Sequence, residues 1–390
     1  MKKITTIFAT ALFSGCSCLF SQPGSEVSVY LITCGPGTDT YSIYGHTALR
    51  IVNPATGSDR VYNWGVFDFN TPNFAWKFAR GRLEYMLGTD TFQRFQMMYL
   101  YERRWVRSQK INLDPAETVI LTGLIKENLK PENLKYMYDF FYDDCSTRVR
   151  DLLEKSIGSP LRYKPDDKND ACTFRDLIGK YQLLYPWLKS GIDLLIGTPA
   201  DRRASNRDRM FLPLELQDVL SDAFVLRDGK MVPLLTNPET LLDFDPPSTR
   251  LHLTLSPVFI FSLILVLLVI FHALCRKSSA VILADSIIFL VFALLAVIMI
   301  FFNFFSDHQQ LKWNLNMLWL SPFLIFCFAA LAMGREWKTC FRIVFTLSLV
   351  SFLLQVIFPH AFNQAFMPLV ILLLFRSAAR SGFSWNPLSA

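Results

Sequence analysis

FYDDCSTRVRDLL, residues Phe141 to Leu153, puts a thiol where a helix begins. Arginine and leucine recur at helical spacing after it, and Asp143 or Asp144 is placed to cap the first turn. Cys145 then sits among unpaired backbone N–H groups at the positive end of a helix dipole, which favours a thiolate. The two aspartates oppose this, because negative charge beside a thiol raises its pKa. A nucleophilic reading therefore needs a base. Upstream of Asp245 the chain has one histidine, His46, in YGHTALRIV. The competing reading of Cys145 is a buried structural cysteine, which the polar neighbours Asp143, Asp144, Ser146 and Thr147 argue against.

A base that works on a thiol needs a third group to orient it. Asn63, in VYNWG on the next strand, is the candidate, because adjacent antiparallel strands bring same-face side chains together; Asp59 and Tyr44 are rivals. Cys34, at the end of the first strand, is the competing nucleophile but lacks a helix start. Around these residues EVSVYLITC reads as a strand, YSIYGHTALRIV and DRVYNWGVFDF as a hairpin across NPATGS, and PAETVILTGLIKENL as a helix. PLELQDVLSDAF reads as a further helix and LRDGKMVPLL as a hairpin. YMYDFFYD is either a strand or an extended entry to the Cys145 helix.

The rest of the chain divides by composition. Residues 1–21 have two lysines, a short apolar core and then small residues, the layout of an export signal cleaved near Ser21. FSGC, Phe13 to Cys16, resembles a lipoprotein box and makes lipidation at Cys16 the alternative. Residues 22–245 have the mixture of a soluble domain, and DFDPPSTR reads as a stiff linker. Residues 246–390 hold apolar runs near 256–274, 281–302, 315–331, 341–358 and 362–375, five spans of which the last is short. Arg276, Lys277, Arg335, Lys338, Arg342, Arg376 and Arg380 cluster at alternate loops, so the positive-inside rule leaves the soluble half and the loops around His308 and His360 outside. His308 and Asn316 lie at the outer end of a span, with Trp313 and Trp319 at headgroup depth. They are candidates for lipid contact, against the reading of an ordinary polar loop. The cysteines show no zinc spacing, and no basic run interleaved with aromatics supports nucleic-acid binding.

The order of these elements is familiar. A histidine on an early strand, a polar residue on the next and a cysteine opening a later helix resemble the permuted papain-like fold of NlpC/P60-related and lecithin:retinol acyltransferase-like proteins. More closely, LITCGPGTDTYSIYGHTALRIV, YNWGVFDF, YDDCSTRVRDLL, GTPADR, MFLP and HQQLKWNLNMLWLSP resemble the Lnb lipoprotein N-acyltransferases of Bacteroides-like bacteria. The resemblance implies an α+β papain-like domain in the periplasm, followed by an all-α bundle of about five transmembrane helices in the inner membrane. It implies transfer of a fatty acyl chain from a phospholipid to the α-amino group of a diacylglyceryl-cysteine lipoprotein. Carried over by motif, Cys145 would be the nucleophile and His46 the general base; the residues themselves add Asn63 to orient that base and Tyr44, His308 and Asn316 as substrate-binding candidates. Neither a cofactor nor a metal is called for. Similar sites often carry Asn or Gly before the cysteine, whereas Asp144 stands here. The alternatives are a membrane-tethered cell-wall peptidase or amidase using the same Cys and His, and a non-catalytic envelope protein in which both are packing residues.

Overall fold

The computed structural model describes residues 26–167, 172–248, 253–275 and 277–382. The export signal, Cys16, Cys18, Arg276 and the end of the linker lie outside them.

Ten strands form in the soluble half: β1 Ser28–Cys34, β2 His46–Asn53, β3 Ser58–Val66, β4 Glu84–Thr91, β5 Val106–Lys110, β6 Lys135–Met137, β7 Leu161–Arg162, β8 Phe224–Arg227, β9 Lys230–Pro233 and β10 Glu239–Leu242. Seven make one antiparallel sheet in the order β10-β5-β1-β2-β3-β4-β6, and β7-β8-β9 make a second, smaller one. The period-two pattern of the large sheet divides its core in two. Leu31, Leu49, Ile51, Trp64 and Leu87 face the helices Pro115–Asn128, Cys145–Ile157 and Pro213–Ser221. Ile32, Ala48, Val61 and Val106 face the helix Phe92–Glu102 through Phe95 and Tyr99. A strand buried on both faces has to be apolar on both, which is why LITC carries no clean alternation.

The Cys145–Ile157 helix docks on the sheet because Cys145, Val149, Leu153 and Ile157, four residues apart, form one buried stripe. YMYDFFYD resolves as the short β6 followed by a turn in which Asp139 and Asp143 exchange backbone hydrogen bonds, both 3.0 Å.

In the apolar half, Pro257–Leu274, Ser278–Phe305 and Lys338–Ile357 are long and apolar enough to cross a membrane, while Phe323–Ala332 and Met367–Arg380 are shorter. The span expected at 315–331 begins later, because Asn314 caps a single 3-10 turn at Leu315–Met317 and Pro322 starts the helix proper. The span expected at 362–375 likewise becomes a 3-10 turn and then a helix from Met367. Ser278–Ile300 passes into a π-turn, Phe301–Phe305, which leads into the 306–316 loop.

That loop lies on the soluble half. Ser306 Oγ donates to the Ala79 carbonyl (2.7 Å), Asp307 N–H to that of Arg80 (2.9 Å), and Arg82 pairs with Asp307 (2.6 Å). Gly197 N–H donates to the Gln310 carbonyl (2.7 Å). A Cβ on Gly197 would lie 1.7 Å from the Lys312 carbonyl oxygen, so the approach admits only glycine. The second loop on this side reaches the helix Pro186–Leu195, just before Gly197, since Asn363 Nδ2 donates to Asp193 Oδ2 (2.9 Å).

At the far end of the bundle Asp285, fully buried, accepts from Arg376 Nε (2.7 Å) and Nη2 (2.9 Å) and from Arg380 Nε (2.6 Å), with His272 Nε2 3.2 Å away. One carboxylate thus ties together three helices.

Candidate active site

The pairing of β2 with β3 runs from Asn53 and Ser58 only as far as Leu49 and Tyr62. Beyond it β2 continues back to His46, paired with β1, while β3 turns through a bulge between Asn63 and Val66 toward β4. The two strands therefore open into a fork. The N-terminus of the Cys145 helix fills it, packed against Gly65, whose φ of +90° is one that only glycine adopts readily; a Cβ there would make ordinary contact, 3.9 Å from the Cβ of Cys145 and 3.5 Å from the Tyr138 ring.

His46 and Asn63 stand on opposite arms of the fork, on the Ala48 and Val61 side of the pleat, and the Asn63 side-chain oxygen hydrogen-bonds the His46 Nε2. Nε2 therefore carries the proton and Nδ1 is left as the acceptor. Burial, with Asn63 pulling the other way and Arg104 reinforcing it, lowers the imidazole to about 4, so the ring rests neutral.

Cys145 is buried as the first residue of its helix. Its sulfur faces the backbone N–H of Thr47, next to His46, and lies 3.8 Å from Ser146 Oγ. Burial raises the thiol above its ordinary value near 9, and the surrounding N–H groups oppose that rise. The thiol and the ring thus both rest neutral, on either side of the Thr47 backbone. Among the described residues no hydrogen bond joins the His46 ring to Sγ; the two meet across the Thr47 backbone.

The aspartates that seemed to work against a thiolate are both engaged. Asp143 is held by Arg148 in a bidentate pair (2.5 and 2.7 Å), and Arg148 stacks over Tyr136. Asp144 caps the helix, its Oδ1 accepting from Ser146 N–H (2.9 Å) and Thr147 N–H (2.8 Å), while its own N–H donates to Thr147 Oγ1 (2.7 Å). Burial, and after it the adjacent thiol, hold its carboxyl well above the usual carboxylate range, and these donors offset only part of that rise. Two first-turn donors are thus taken by Asp144, and the N–H groups of Thr47, Cys145 and Ser146 bear on the sulfur.

The remaining candidates lie in distinct places. Asp59 is in a bidentate pair with Arg50 (2.8 and 2.7 Å), away from His46. Tyr44 accepts from Gln182 Nε2 (2.7 Å) and packs against Tyr181. Cys34 lies opposite His46 in the β1–β2 register, fully buried, with its thiol pushed up to about 12. His308 lines a small cleft with Tyr138 and Phe140, its Nε2 2.9 Å from the Phe78 carbonyl. Asn316 is buried. Its amide donates to the Asp193 (3.1 Å) and Leu194 (3.2 Å) carbonyls, and its oxygen accepts from Trp319 Nε1 (3.0 Å).

Sequence reasoning missed the link between the two halves. Gln310 Nε2 donates to Asp139 Oδ1, the same oxygen that accepts from Phe141 N–H (2.9 Å) and Tyr142 N–H (3.0 Å) in the turn entering the Cys145 helix. No local pattern marks a contact 171 residues apart.

Two family models match the chain: the Lnb N-terminal periplasmic domain over residues 21–179 and the Lnb transmembrane domain over residues 249–384. No curated protein and no solved structure matches it.

Proposed function

The chain belongs to the Lnb family, as a membrane protein with a periplasmic domain, and from that we propose that it is a lipoprotein N-acyltransferase of the inner membrane. The observation that carries the reading is the fork, which holds a thiol at a helix start against the backbone of Thr47, the residue after a His46 oriented by Asn63. The turn entering that helix is tied by Gln310 to the outer loop of the apolar half.

In the first step His46 Nδ1 takes the thiol proton as Sγ attacks a phospholipid ester carbonyl. The N–H groups of Cys145 and Thr47 receive the charge on oxygen. Collapse expels the lysophospholipid alkoxide, which takes the proton from His46, and leaves an acyl thioester on Cys145. In the second step His46 removes a proton from the lipoprotein α-amine as it attacks the thioester. The amide forms, and the departing thiolate recovers the proton. His308, at the cleft, is proposed to contact the substrate. Tyr44 and Asn316, whose polar groups are engaged by protein partners, are proposed to brace the site's walls.

Incubating the purified chain with phospholipid alone should build a hydroxylamine-sensitive acyl adduct on the peptide containing Cys145. Mass spectrometry of lipoprotein N-termini should show N-acylation lost, by about a thousandfold or more, in Cys145→Ala and in His46→Ala, each still folded in the membrane. Cys34→Ala should keep its activity. An adduct on Cys34, or activity surviving in Cys145→Ala, sinks the assignment of the site.

A further inference from the structure

From Tyr41 to Phe140 an aromatic strip crosses the surface beside the fork. Tyr41, five residues before His46, packs 6.5 Å from Phe69, which meets Phe74 at 5.2 Å. Phe74 stacks with Phe78 at 6.4 Å, and Phe78 meets Phe140, in the turn entering the Cys145 helix, at 6.1 Å. These rings are not a core: Phe69 is 64% exposed and Tyr41 62%. A monomeric water-soluble surface rarely presents such a continuous apolar patch.

Two observations indicate what covers it. The Phe74–Arg80 helix puts Trp76, itself 57% exposed, 5.3 Å from Phe301 at the outer end of the Ser278–Phe305 span, next to the exposed Phe304 and Phe305. Trp76, two residues from Phe74 and from Phe78, is on the far side of this short helix from the strip, so the helix that presents the strip also rests on the outer end of a span. The same helix carries Lys77 and Arg80 and no acidic residue in its first turn, the pattern of a segment lying at a headgroup layer with cations toward phosphate and rings toward acyl chains.

We propose that this strip is immersed in the outer leaflet of the membrane that the apolar half spans, and that phospholipid reaches the fork along it. The immersion stands on the strip alone; the delivery of donor lipid rests on the acyl-transfer reading. Tyr138 continues the path inward, its ring 5.4 Å from Phe140 and against Gly65 beside Cys145.

The test uses the full chain in nanodiscs made with ordinary or chain-brominated phospholipid. The emission lost in Trp76→Phe, and that gained in Phe69→Trp, should each fall about twofold or more in the brominated discs, because quenching requires contact with acyl chains. Emission from Phe69→Trp that bromine leaves unchanged, or that changes only when acceptor lipoprotein is added, puts the strip in water or against protein and overturns the proposal. Phe69→Asp should then load Cys145 from bilayer phospholipid roughly tenfold more slowly, since a carboxylate resists immersion. Its reaction with iodoacetamide should be unchanged, which separates lost delivery from a damaged site. Loading from the bilayer at the wild-type rate would overturn the delivery role. A wild-type chain that never loads would sink the acyl-transfer reading, with the quenching result still deciding the strip.

Discussion

His46 shows how one side chain sets the conditions under which the site can work. Its ring is taken from an ordinary value near 6.5 to about 4 by burial, so the neutral base is present throughout the physiological range. Adduct formation on Cys145 should be flat near neutrality and fall as pH drops through about 4, measured as thioester formed per minute. The same shift bears on stability. Between 6.5 and 4 the unfolded ring binds a proton that the folded ring refuses, so stability declines as pH falls across that window and levels off below it. His46→Gln should remove that component from thermal melts taken at successive pH values. Cys145 and His46 stood out as candidates because a lone histidine and a thiol at a helix start are rare. Asn63, taken ahead of Asp59 and Tyr44, does meet the ring, although alternation gives only a face and says nothing of where two strands stop pairing.

At the scale of elements, cap and stripe signals carried the sequence reading far. Asp144 before Cys145, Pro115 at its helix start, and the hairpins at Asn53–Ser58 and Arg227–Lys230 formed where turn and capping chemistry put them. The apolar runs were less legible at their ends, because hydropathy alone does not distinguish a helix from a 3-10 turn capped by Asn314. Least legible was the 306–316 loop: His308 and Asn316 read as candidates for lipid contact or as part of an ordinary polar loop, and nothing local marked that this loop meets backbone groups of the other half. Its tightest point is Gly197 against Lys312. Gly197→Ala forces the loop away, and the expected cost is about 1–3 kcal/mol in a melt in detergent. Slower loading of Cys145 should accompany it, because the Gln310 tie to the nucleophile turn loosens with the loop.

For the whole molecule, the two loops that contact the soluble half and the Asp285 cluster lie at opposite ends of the bundle. Trp313→Cys, exposed on the first loop, should react with a thiol probe that cannot cross the membrane, and Ser279→Cys should not. The reverse pattern overturns the orientation. At the far end, Asp285→Asn leaves Arg376 and Arg380 facing apolar surroundings without a counter-charge. A loss of about 3–5 kcal/mol is expected, read as a lower melting temperature in detergent. Between those ends, the hydrogen bonds from the 306–316 loop hold the thiol at one height above the spans. Under the proposed acyl transfer, a thiol on such a rigid pedestal would work as a depth gauge. Only an ester whose carbonyl rises to that level would come within reach, so an amphiphile would be sorted by where its carbonyl rides, before any contact recognises what it is.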